Sequence, residues 1–592
     1  MKNKIGLFIL FSFIIAFLIF QGFSQSNKED QKFDEWVAKF LDKLWQYKPT
    51  SATLAGYHKY DNKLEDLSEG RIKKRIRELD EFSKELASKI DKFKLSKDKT
   101  IDYEIIVDAI DYEKLQYDYL KPWENDPLLY NRIIGDSVNS LMSRDFAPLE
   151  ERVKNAIARM EKIPDLIKQA KKNLKNPPQI FTETAITQNQ GNINYFKNTL
   201  PKLAEGVSTA TKTQLQAQID KVVAALEDYG KFLKEELLPR STGEFRLGSA
   251  LFQRKARLTL QSTFPLEQIV ARAQAAYKNV RREMAIAALP LFRMMYPEIK
   301  EKALANLTDE QKRNKIIGDV LKVISKEHPT REGFFDYVKK TVEELRNFII
   351  EKDIIDLPKP DRLFLRLTPE YARGIVVAGL EPPGPYEPNG KYFYQVSSIP
   401  EDWTDEQVES FLREYNNYMI KILTIHEALP GHYVQLSYAN KYPSIVRSVF
   451  PSEPMVEGWA VFTERMMIES GYGNWDCKLR LIQLKFYLRT IVNCLLDFNI
   501  HLGGMTKEQA IKLMTRGAFQ ELAEAEAKWR RACLTSTQLS TYFVGSEEIF
   551  EIQKEYKKLK GDKYNQKEFM QKLISYGSIP LRHLRELILQ EQ

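Results

Sequence analysis

The sequence of 592 residues contains few cysteines and few histidines, and each shortage excludes a class of protein. Its three cysteines, Cys477, Cys494 and Cys533, are too few for a disulfide scaffold or a thiolate zinc cluster, and we expect all three to be buried free thiols. No basic run is interleaved with aromatic residues, so the net charge of +8 does not indicate a nucleic-acid partner. The sequence also lacks a phosphate-binding P-loop, a dinucleotide-binding glycine fingerprint and a nucleophile elbow.

A hydrophobic run at the N-terminus has the pattern of a secretory signal. Lys2 and Lys4 precede apolar residues 5–20, and Gly22 and Ser24 provide small residues before a cleavage site. We therefore predict a signal peptide over residues 1–24, a secreted or periplasmic mature chain and no stable membrane span after cleavage. The alternative is an uncleaved anchor, although the run falls short of the roughly 20 residues that a spanning helix needs. We expect no lipid anchor, because this segment contains no cysteine.

Apolar residues recur at helical spacing through most of the chain. The clearest stripe ends before Pro49 and consists of Phe33, Trp36, Val37, Phe40, Leu41, Leu44 and Trp45. Similar patterns cover residues 70–120, 148–176, 211–238, 265–290 and 331–352. We predict a mainly α fold made of two helical lobes, an N-terminal lobe over residues 25–240 and a second lobe over residues 241–592.

Strand signals are concentrated in residues 360–400, where turn residues separate short β-rich runs. These runs are Leu363–Leu367, Ile375–Val377 and Tyr392–Val396. We predict a small β-element here. Residues 391–398 lie just before the most informative segment of the chain, and we expect them to offer an edge strand to an extended peptide.

Two of the six histidines lie in the seven-residue segment His426–His432, which reads His-Glu-Ala-Leu-Pro-Gly-His. Thr404 and Gln407 form a capping-box pattern that predicts a helix leading into it, and His426 follows Ile422 by four residues on the apolar face. In the zinc-peptidase motif H-E-x-x-H, both histidines bind the metal and the glutamate acts as the base. The spacing of six here points His432 about 240° away on an unbroken helix.

The two residues before His432 supply a break in that helix. Pro430 has no N–H and its ring clashes with the carbonyl of His426, while Gly431 tolerates unusual backbone angles. We therefore expect the helix to bulge or loop out at Pro430-Gly431 and to return His432 to the side that faces the metal.

A third ligand is required, since a catalytic zinc takes three protein groups and a water molecule. Glu457 follows a helix-starting Pro454, and Glu464 lies seven residues further on the same face. We predict that His426, His432 and Glu457 bind one Zn²⁺ ion, that Glu427 is the general base, and that Glu464 accepts the free N–H of a ligand histidine. The alternative is an exposed polar face and a glutamate that complements a helix dipole.

Several motifs together resemble the bacterial "domain of unknown function 885" family. They are His426–His432, Glu457-Gly458-Trp459-Ala460, the Gln538, Tyr542 and Gly545 segment, Pro49–Gly56, and residues 497–510. The resemblance covers about residue 30 to about residue 585 and extends to helical gluzincin metallopeptidases. It implies a helical body around a deep cleft, with the small β-sheet next to the metal-binding helix and the catalytic site in the second lobe. Ser536-Thr537 depart from the family, which usually has Pro-Gly or Pro-Thr there.

We also predict roles for residues outside the metal site, and of these the resemblance implies only that of Tyr542. Tyr542 would donate a hydrogen bond to the oxyanion, and His501 is the alternative donor. Asp497, four residues before His501, would fix its tautomer, unless the two form a surface pair. Arg531 and Gln538 would bind a substrate carboxylate or backbone, unless the arginine is simply solvated.

Three functional hypotheses follow from these residues. The first is a secreted or periplasmic zinc peptidase that hydrolyses short peptides. The second is a zinc hydrolase of another amide or an ester, and the third is an inactive helical binding protein that retains a remnant of the site. Zinc suits two histidines and a carboxylate, as do other divalent ions.

Overall fold

The computed structural model describes residues 28–299, 304–368, 378–401 and 403–590. The predicted signal peptide over residues 1–24 and the predicted strand Ile375–Val377 lie outside these residues. The described chain is mainly helical, with a small three-stranded sheet. No helix within it has the length and apolar composition needed to cross a lipid bilayer.

Helices make up nearly all of the chain before the sheet. The α-helices of this part are Lys28–Tyr47, Pro49–Leu54, Glu69–Lys89, Lys97–Leu115, Pro122–Asn125, Pro127–Met142, Leu149–Met160, Ile163–Asn173, Gln179–Asn194, Leu200–Leu203, Thr209–Phe232, Gly248–Leu260, Leu266–Met295, Asp309–Ile324 and Phe334–Glu351. Short 3-10 helices cover His58–Tyr60, Lys92–Lys94 and Leu238–Arg240, and π-helical turns cover Gln116–Leu120, Tyr195–Thr199 and Leu233–Leu237.

A second series of helices follows the sheet. The α-helices of this part are Asp405–Glu414, Asn417–Glu427, His432–Ala439, Ile445–Val449, Glu453–Glu469, Cys477–His501, Lys507–Lys512, Leu522–Leu534, Thr541–Lys560, Gln566–Ile574 and Leu581–Gln590. A π-helical turn covers Leu513–Gly517, and 3-10 helices cover Gln538–Ser540 and Gly561–Lys563.

The helical periodicity of the sequence is confirmed, although two long patterns divide into separate helices. The helix Lys28–Tyr47 buries all seven residues of the predicted apolar stripe. The pattern over residues 70–120 is interrupted at Ser96, whose hydroxyl accepts the N–H of Lys99 and begins a new helix. The pattern over residues 148–176 is interrupted before Pro164, which lies in the first turn of the next helix.

Buried hydrophobic side chains form two clusters. The larger cluster draws on both ends of the chain, with residues from Phe33 to Ile110 and from Phe252 to Ile588. The smaller cluster includes Ile72 and the residues from Trp123 to Leu237. The first helices therefore share a core with the C-terminal half, and the division into lobes at residue 240 stays a prediction.

The sheet places its strands β1 (Leu363–Leu367), β2 (Ala378–Glu381) and β3 (Tyr392–Val396) in the order β1-β3-β2. Strand β3 pairs in parallel with β1 and antiparallel with β2. The expectation that residues 391–398 form an edge strand is therefore wrong, because both sides of β3 are already paired. The edges of the sheet belong to β1 and β2.

One face of β3 packs on the helices that carry the two predicted histidine ligands. Tyr392, Tyr394 and Val396 are buried on this face. The Tyr394 hydroxyl lies 3.3 Å from Oγ1 of Thr424, in the helix Asn417–Glu427. The sheet therefore lies directly against the helix that ends at Glu427.

Two local expectations need correction. The capping box at Thr404 and Gln407 is present, but its helix ends at Glu414. A second helix begins at Asn417, after Asn416, whose side-chain oxygen accepts the N–H of Met419. The short polar side chain of Asn416 satisfies the first N–H groups of a new helix and so divides the expected one. Cys494 and Cys533 are buried free thiols, but the prediction is wrong for Cys477, which lies exposed at the start of a helix.

Candidate metal centre

The segment between the two histidines interrupts the helix. The helix Asn417–Glu427 ends one residue after His426, residues 428–431 form a loop, and the helix His432–Ala439 begins at the second histidine. The N–H of Gly431 donates to the carbonyl of Ile425 at 3.0 Å, which closes the loop. The chain thus turns at Pro430-Gly431, where the sequence predicts a break.

Gly431 and Trp459 hold this loop in place. A Cβ atom at Gly431 would collide with the carbonyl oxygens of Ile425 and His426, so the close approach requires glycine. The indole N–H of buried Trp459 donates to the carbonyls of Pro430 at 3.0 Å and Gly431 at 3.2 Å. Trp459 belongs to the Glu-Gly-Trp-Ala motif, so one helix supplies both a predicted ligand and the support of the loop.

The loop brings His432 to the same place as His426, and Glu457 joins them from another helix. The two imidazole rings are nearly perpendicular, with centroids 4.7 Å apart. Oε2 of Glu457 lies 3.5 Å from Nε2 of His426 and 3.5 Å from Nε2 of His432. Ligand atoms about 2.0–2.1 Å from a tetrahedral zinc lie about 3.3–3.4 Å apart, so these separations match a shared ion.

The chemistry of the donor atoms also fits a cation. Oε2 of Glu457 is buried and receives no hydrogen bond from the described residues. A buried carboxylate oxygen that accepts no hydrogen bond is costly, and a positive ion relieves that cost. Burial acts to raise the pKa of Glu457, but His426 and His432 outweigh burial and hold the pKa well below its ordinary value. The three groups therefore fit a zinc ion.

Glu464 lies behind His426, as the sequence predicts. Its Oε1 lies 2.7 Å from Nδ1 of His426, and the carboxylate is fully buried. A proton held on Nδ1 by this carboxylate leaves the lone pair of Nε2 directed towards Glu457 and His432. Burial raises the pKa of Glu464 to about 7, and the nearby imidazole of His426 opposes this rise.

Glu427 stands next to the two candidate histidine ligands and is partly exposed. One ligand atom each of Glu427, His426 and His432 lies within 4.8 Å of the others. The backbone N–H of Leu380 in β2 donates to Oε2 of Glu427 at 3.0 Å. This contact fixes the orientation of the carboxylate, and no hydrogen bond from the described residues reaches Oε1.

Tyr542 lies beside His426. Its ring is stacked on the imidazole of His426 at 6.4 Å between centroids, with an interplanar angle of 24°. The Tyr542 hydroxyl accepts a hydrogen bond from Nη2 of Arg531 at 3.3 Å, and the same atom donates to Gln538 at 2.8 Å. Burial, followed by the charge of Glu457, raises the pKa of Tyr542 to about 12, so its hydroxyl keeps its proton.

His501 occupies a different place from that expected of an oxyanion donor. Its Nε2 donates to the backbone carbonyls of Ala532 at 3.2 Å and Thr535 at 2.9 Å, and its ring stacks on Phe252. These contacts anchor the end of the helix Leu522–Leu534. None of the contacts of His501 with described residues involves the metal centre, so Tyr542 remains the candidate donor.

Asp497 is buried and holds the segment that leads to Tyr542. Its Oδ1 accepts the N–H of Thr537 at 2.9 Å, and its Oδ2 accepts the N–H and hydroxyl of Ser540. Its nearest approach to His501 is 4.0 Å, so it does not fix the tautomer of that histidine through a hydrogen bond. Thr537, which follows the position where the chain has Ser536 in place of proline, adopts a left-handed backbone with φ of 67°.

Three contributions to the site carry no clear signal in the sequence. The N–H of Leu380 orients Glu427, Phe486 lies 6.1 Å from His426 between ring centroids, and Lys528 is buried on the helix that carries Arg531. The spacing of three residues between Lys528 and Arg531 places them on one helix face. That spacing alone would not distinguish a buried lysine from a solvated one.

Two solved structures resemble this chain along nearly its whole length. A "putative lipoprotein of unknown function" from Shewanella oneidensis is 36% identical, with a TM-score of 0.80 over 94% of this chain and 100% of the other. A "putative lipoprotein" from Colwellia psychrerythraea shares the fold at 17% identity, with a TM-score of 0.76 over 95% of this chain and 99% of the other. No curated protein shows significant similarity to the chain.

The sequence also matches a model of a protein family. The model described as "Bacterial protein of unknown function (DUF885)" matches residues 49–588, which include every residue of the candidate metal centre. The chain therefore belongs to the DUF885 family of bacterial proteins.

Proposed function

We propose that this protein is an extracytoplasmic zinc-dependent peptidase that hydrolyses short peptides. One observation carries the proposal: Oε2 of Glu457 lies 3.5 Å from Nε2 of both His426 and His432. Two imidazole nitrogens and one carboxylate oxygen are the ligand set of a catalytic zinc with an open fourth position. A partly exposed glutamate, Glu427, stands beside this set.

His426, His432 and Glu457 would hold the ion, and Glu464 would orient His426. When bound, zinc supplies Lewis-acid activation of a water molecule and of the carbonyl at the bond to be cleaved. All other steps of the proposed reaction belong to side chains of this chain. The spacing of the donor atoms supports this assignment and the burial of Oε2 of Glu457 supports it independently.

Glu427 is the proposed general base. The N–H of Leu380 occupies Oε2, so Oε1 is the atom that takes the proton of the attacking water and then delivers it to the leaving nitrogen. Tyr542 keeps its proton and accepts, rather than donates to, Arg531, so its O–H is available to the developing oxyanion.

The proposed location rests on two separate observations. Residues 1–24 have the pattern of a secretory signal. Both similar structures carry the description "putative lipoprotein", and lipoproteins are exported proteins. We therefore assign the activity to the space outside the cytoplasm, where short peptides are the substrate that we propose.

Metal analysis and peptide digestion together test the proposal. Purified protein is reconstituted with zinc, dialysed and analysed for bound metal, and it is then incubated with a library of short peptides. We expect one zinc per chain and cleavage that Glu427→Gln reduces by about 10²–10⁴-fold while zinc stays bound. Glu351→Gln, at an exposed surface position, is the matched control and should retain full activity.

The other two hypotheses give different results in the same assay. Stoichiometric zinc with cleavage of ester or acyl-amino-acid substrates, but of no peptide, would show a hydrolase of another class. Absence of stoichiometric zinc after reconstitution, with no hydrolysis of any substrate, would show a binding protein with a remnant site.

A further inference from the structure

Arg531, on the helix Leu522–Leu534, contacts Tyr542 and is one of several cations in this region. Glu524, Lys528 and Arg531 follow one another at intervals of four and three residues, which places them on the same helix face. Arg489, on the helix Cys477–His501, reaches this face and forms an ion pair with Glu524. The two helices therefore bring several cations together beside the candidate metal centre.

The carboxylates nearest to these side chains in the ion-pair network already have other partners. Glu524 pairs with Arg489, and Glu414 pairs with Lys485 at 3.0 Å. Among the described residues, no carboxylate lies within ion-pair distance of Lys528 or Arg531. Glu524 and Glu414 are thus already paired with other cations, and Lys528 and Arg531 have no ion-pair partner among the described residues.

Lys528 is the more unusual of these two side chains. It is only 5% exposed, and no described residue forms a hydrogen bond or ion pair with it. A buried cation without a partner is strongly unfavourable, so this position is suited to receive an anion. Burial, followed by the charges of Arg489 and Arg531, holds the pKa of Lys528 well below its ordinary value. An arriving carboxylate would favour its charged form.

Arg531 connects this pair to the candidate metal centre and to solvent. The Arg531 side chain is exposed, so a ligand can reach it. Its Nη2 donates to the Tyr542 hydroxyl at 3.3 Å, and the Tyr542 ring stacks on His426. A single tyrosine thus separates Arg531 from a candidate ligand, and an anion held here would lie only a few peptide residues from the metal centre.

We propose that Lys528 and Arg531 bind the free C-terminal carboxylate of the peptide substrate. This inference rests on the proposed peptidase function and narrows it. The substrate class would be short peptides whose C-terminus lies a few residues beyond the bond that is cleaved. A carboxylate could also come from the side chain of an acidic residue, and the experiment below separates these two sources.

Binding to the zinc-loaded Glu427→Gln protein tests the inference without turnover. Three probes are compared by calorimetry: tetra-alanine with a free C-terminus, tetra-alanine amide, and the amide of Ala-Ala-Ala-Glu. We expect the free acid to bind about tenfold to a hundredfold more tightly than either amide, because charge-assisted hydrogen bonds are lost in the amide. Lys528→Met and Arg531→Gln, each added to this protein, should abolish the preference. Arg530→Gln, on the exposed side of the same helix, should preserve it.

Each result bears on the inference separately from the proposed function. Equal binding of the free acid and its amide, a preference that survives in both variants, or failure of every probe to bind would overturn the inference. Tighter binding of the Glu-containing amide would overturn the terminal carboxylate as the source.

Because Lys528 is buried, Arg531→Gln is the variant that leaves the core intact. Cleavage of acid and amide at equal rates by the native protein would refute the inference and leave the peptidase standing. Binding that depends on the free carboxylate, without hydrolysis of any peptide by the native protein, would support the carboxylate site and refute the peptidase function.

Discussion

Gly458 and Gly545 lie in direct contact, so that a Cβ atom at Gly545 would come within 2.9 Å of the Cα atom of Gly458. The two glycines belong to the helices Glu453–Glu469 and Thr541–Lys560. The first helix carries Glu457 and the second carries Tyr542. Close approach of these backbones is therefore what brings a predicted ligand and a predicted oxyanion donor to the same imidazole.

Gly545→Ala tests this close packing. The added methyl group would meet the backbone of Pro454 and of Gly458 and would force the helices apart. We expect the free energy of unfolding to fall by about 1–3 kcal/mol or more, and zinc affinity to fall as Glu457 moves away from the histidines. Urea unfolding and chelator competition measure the two effects.

Gly191→Ala is the matched control for this change. Gly191 is exposed within the helix Gln179–Asn194, and no atom lies within 4 Å of the added Cβ. Alanine there should raise the free energy of unfolding by up to about 1 kcal/mol. Wild-type stability and zinc affinity in Gly545→Ala would contradict the role that we give to the glycine contact.

Removal of the carboxylate of Glu464 should weaken zinc binding without removing a ligand. Oε1 of Glu464 accepts the Nδ1 proton of His426 at 2.7 Å, and loss of such a partner typically lowers metal affinity by about 10–100-fold. We expect the loss of zinc affinity to lie at the upper end of this range for Glu464→Ala. For Glu464→Gln, which keeps a hydrogen-bond acceptor, we expect it at the lower end. Chelator competition gives the affinities. Glu469→Gln, at the exposed end of the same helix, should match wild type.

Asp497→Asn should disturb the approach to Tyr542 while zinc remains bound. Asp497 accepts hydrogen bonds from the N–H of Thr537 and from the N–H and hydroxyl of Ser540. The amide group of asparagine would place a donor against a backbone donor, which costs about 1–3 kcal/mol of stability. We expect lower kcat with unchanged zinc content. Ser540→Ala removes a single hydroxyl and should have a smaller effect on both stability and kcat.

The stability of the protein should depend on pH through His58. Burial disfavours the charged imidazolium of His58, but hydrogen bonds to Asp61 and Glu387 outweigh burial and raise its pKa to about 9. Because the folded-state pKa exceeds the unfolded value of about 6.5, this stabilisation is complete below pH 6.5 and is lost as the pH rises through 9. The side chain is partly exposed, so we expect about 1–3 kcal/mol.

A comparison of wild type with His58→Gln isolates that contribution. The difference in the free energy of unfolding should be constant from pH 5 to about pH 6 and should shrink steadily up to about pH 9. Urea unfolding at a series of pH values measures it. A difference that does not change with pH would show that the carboxylates of Asp61 and Glu387 do not hold the proton on His58.

Local patterns in the sequence predict most of the helices and the break between His426 and His432. The stripe that begins at Phe33 repeats every three to four residues, and such a period depends only on neighbours along the chain. The capping box at Thr404 and the interruption at Pro430-Gly431 are also local, because a side chain or a ring acts on the backbone within one turn.

The predictions that proved wrong depend on how separate helices and strands are placed relative to one another. The central position of β3 follows from pairing with two strands, and the exposure of Cys477 follows from where its helix begins on the surface. The position of His501 also depends on another helix, because its Nε2 donates hydrogen bonds to the carbonyls of Ala532 and Thr535. These two carbonyls lie 31 and 34 residues from His501 along the chain.

By itself, the sequence determined the helical fold class, the candidate ligands His426, His432 and Glu457, and the turn between the two histidines, because short-range periodicity and backbone sterics govern all of these. The tertiary structure alone decided that Oε2 of Glu457 meets both imidazoles and that Lys528 is buried without a partner. Both outcomes depend on how closely distant helices pack, and that distance is set by contacts such as Gly458 against Gly545.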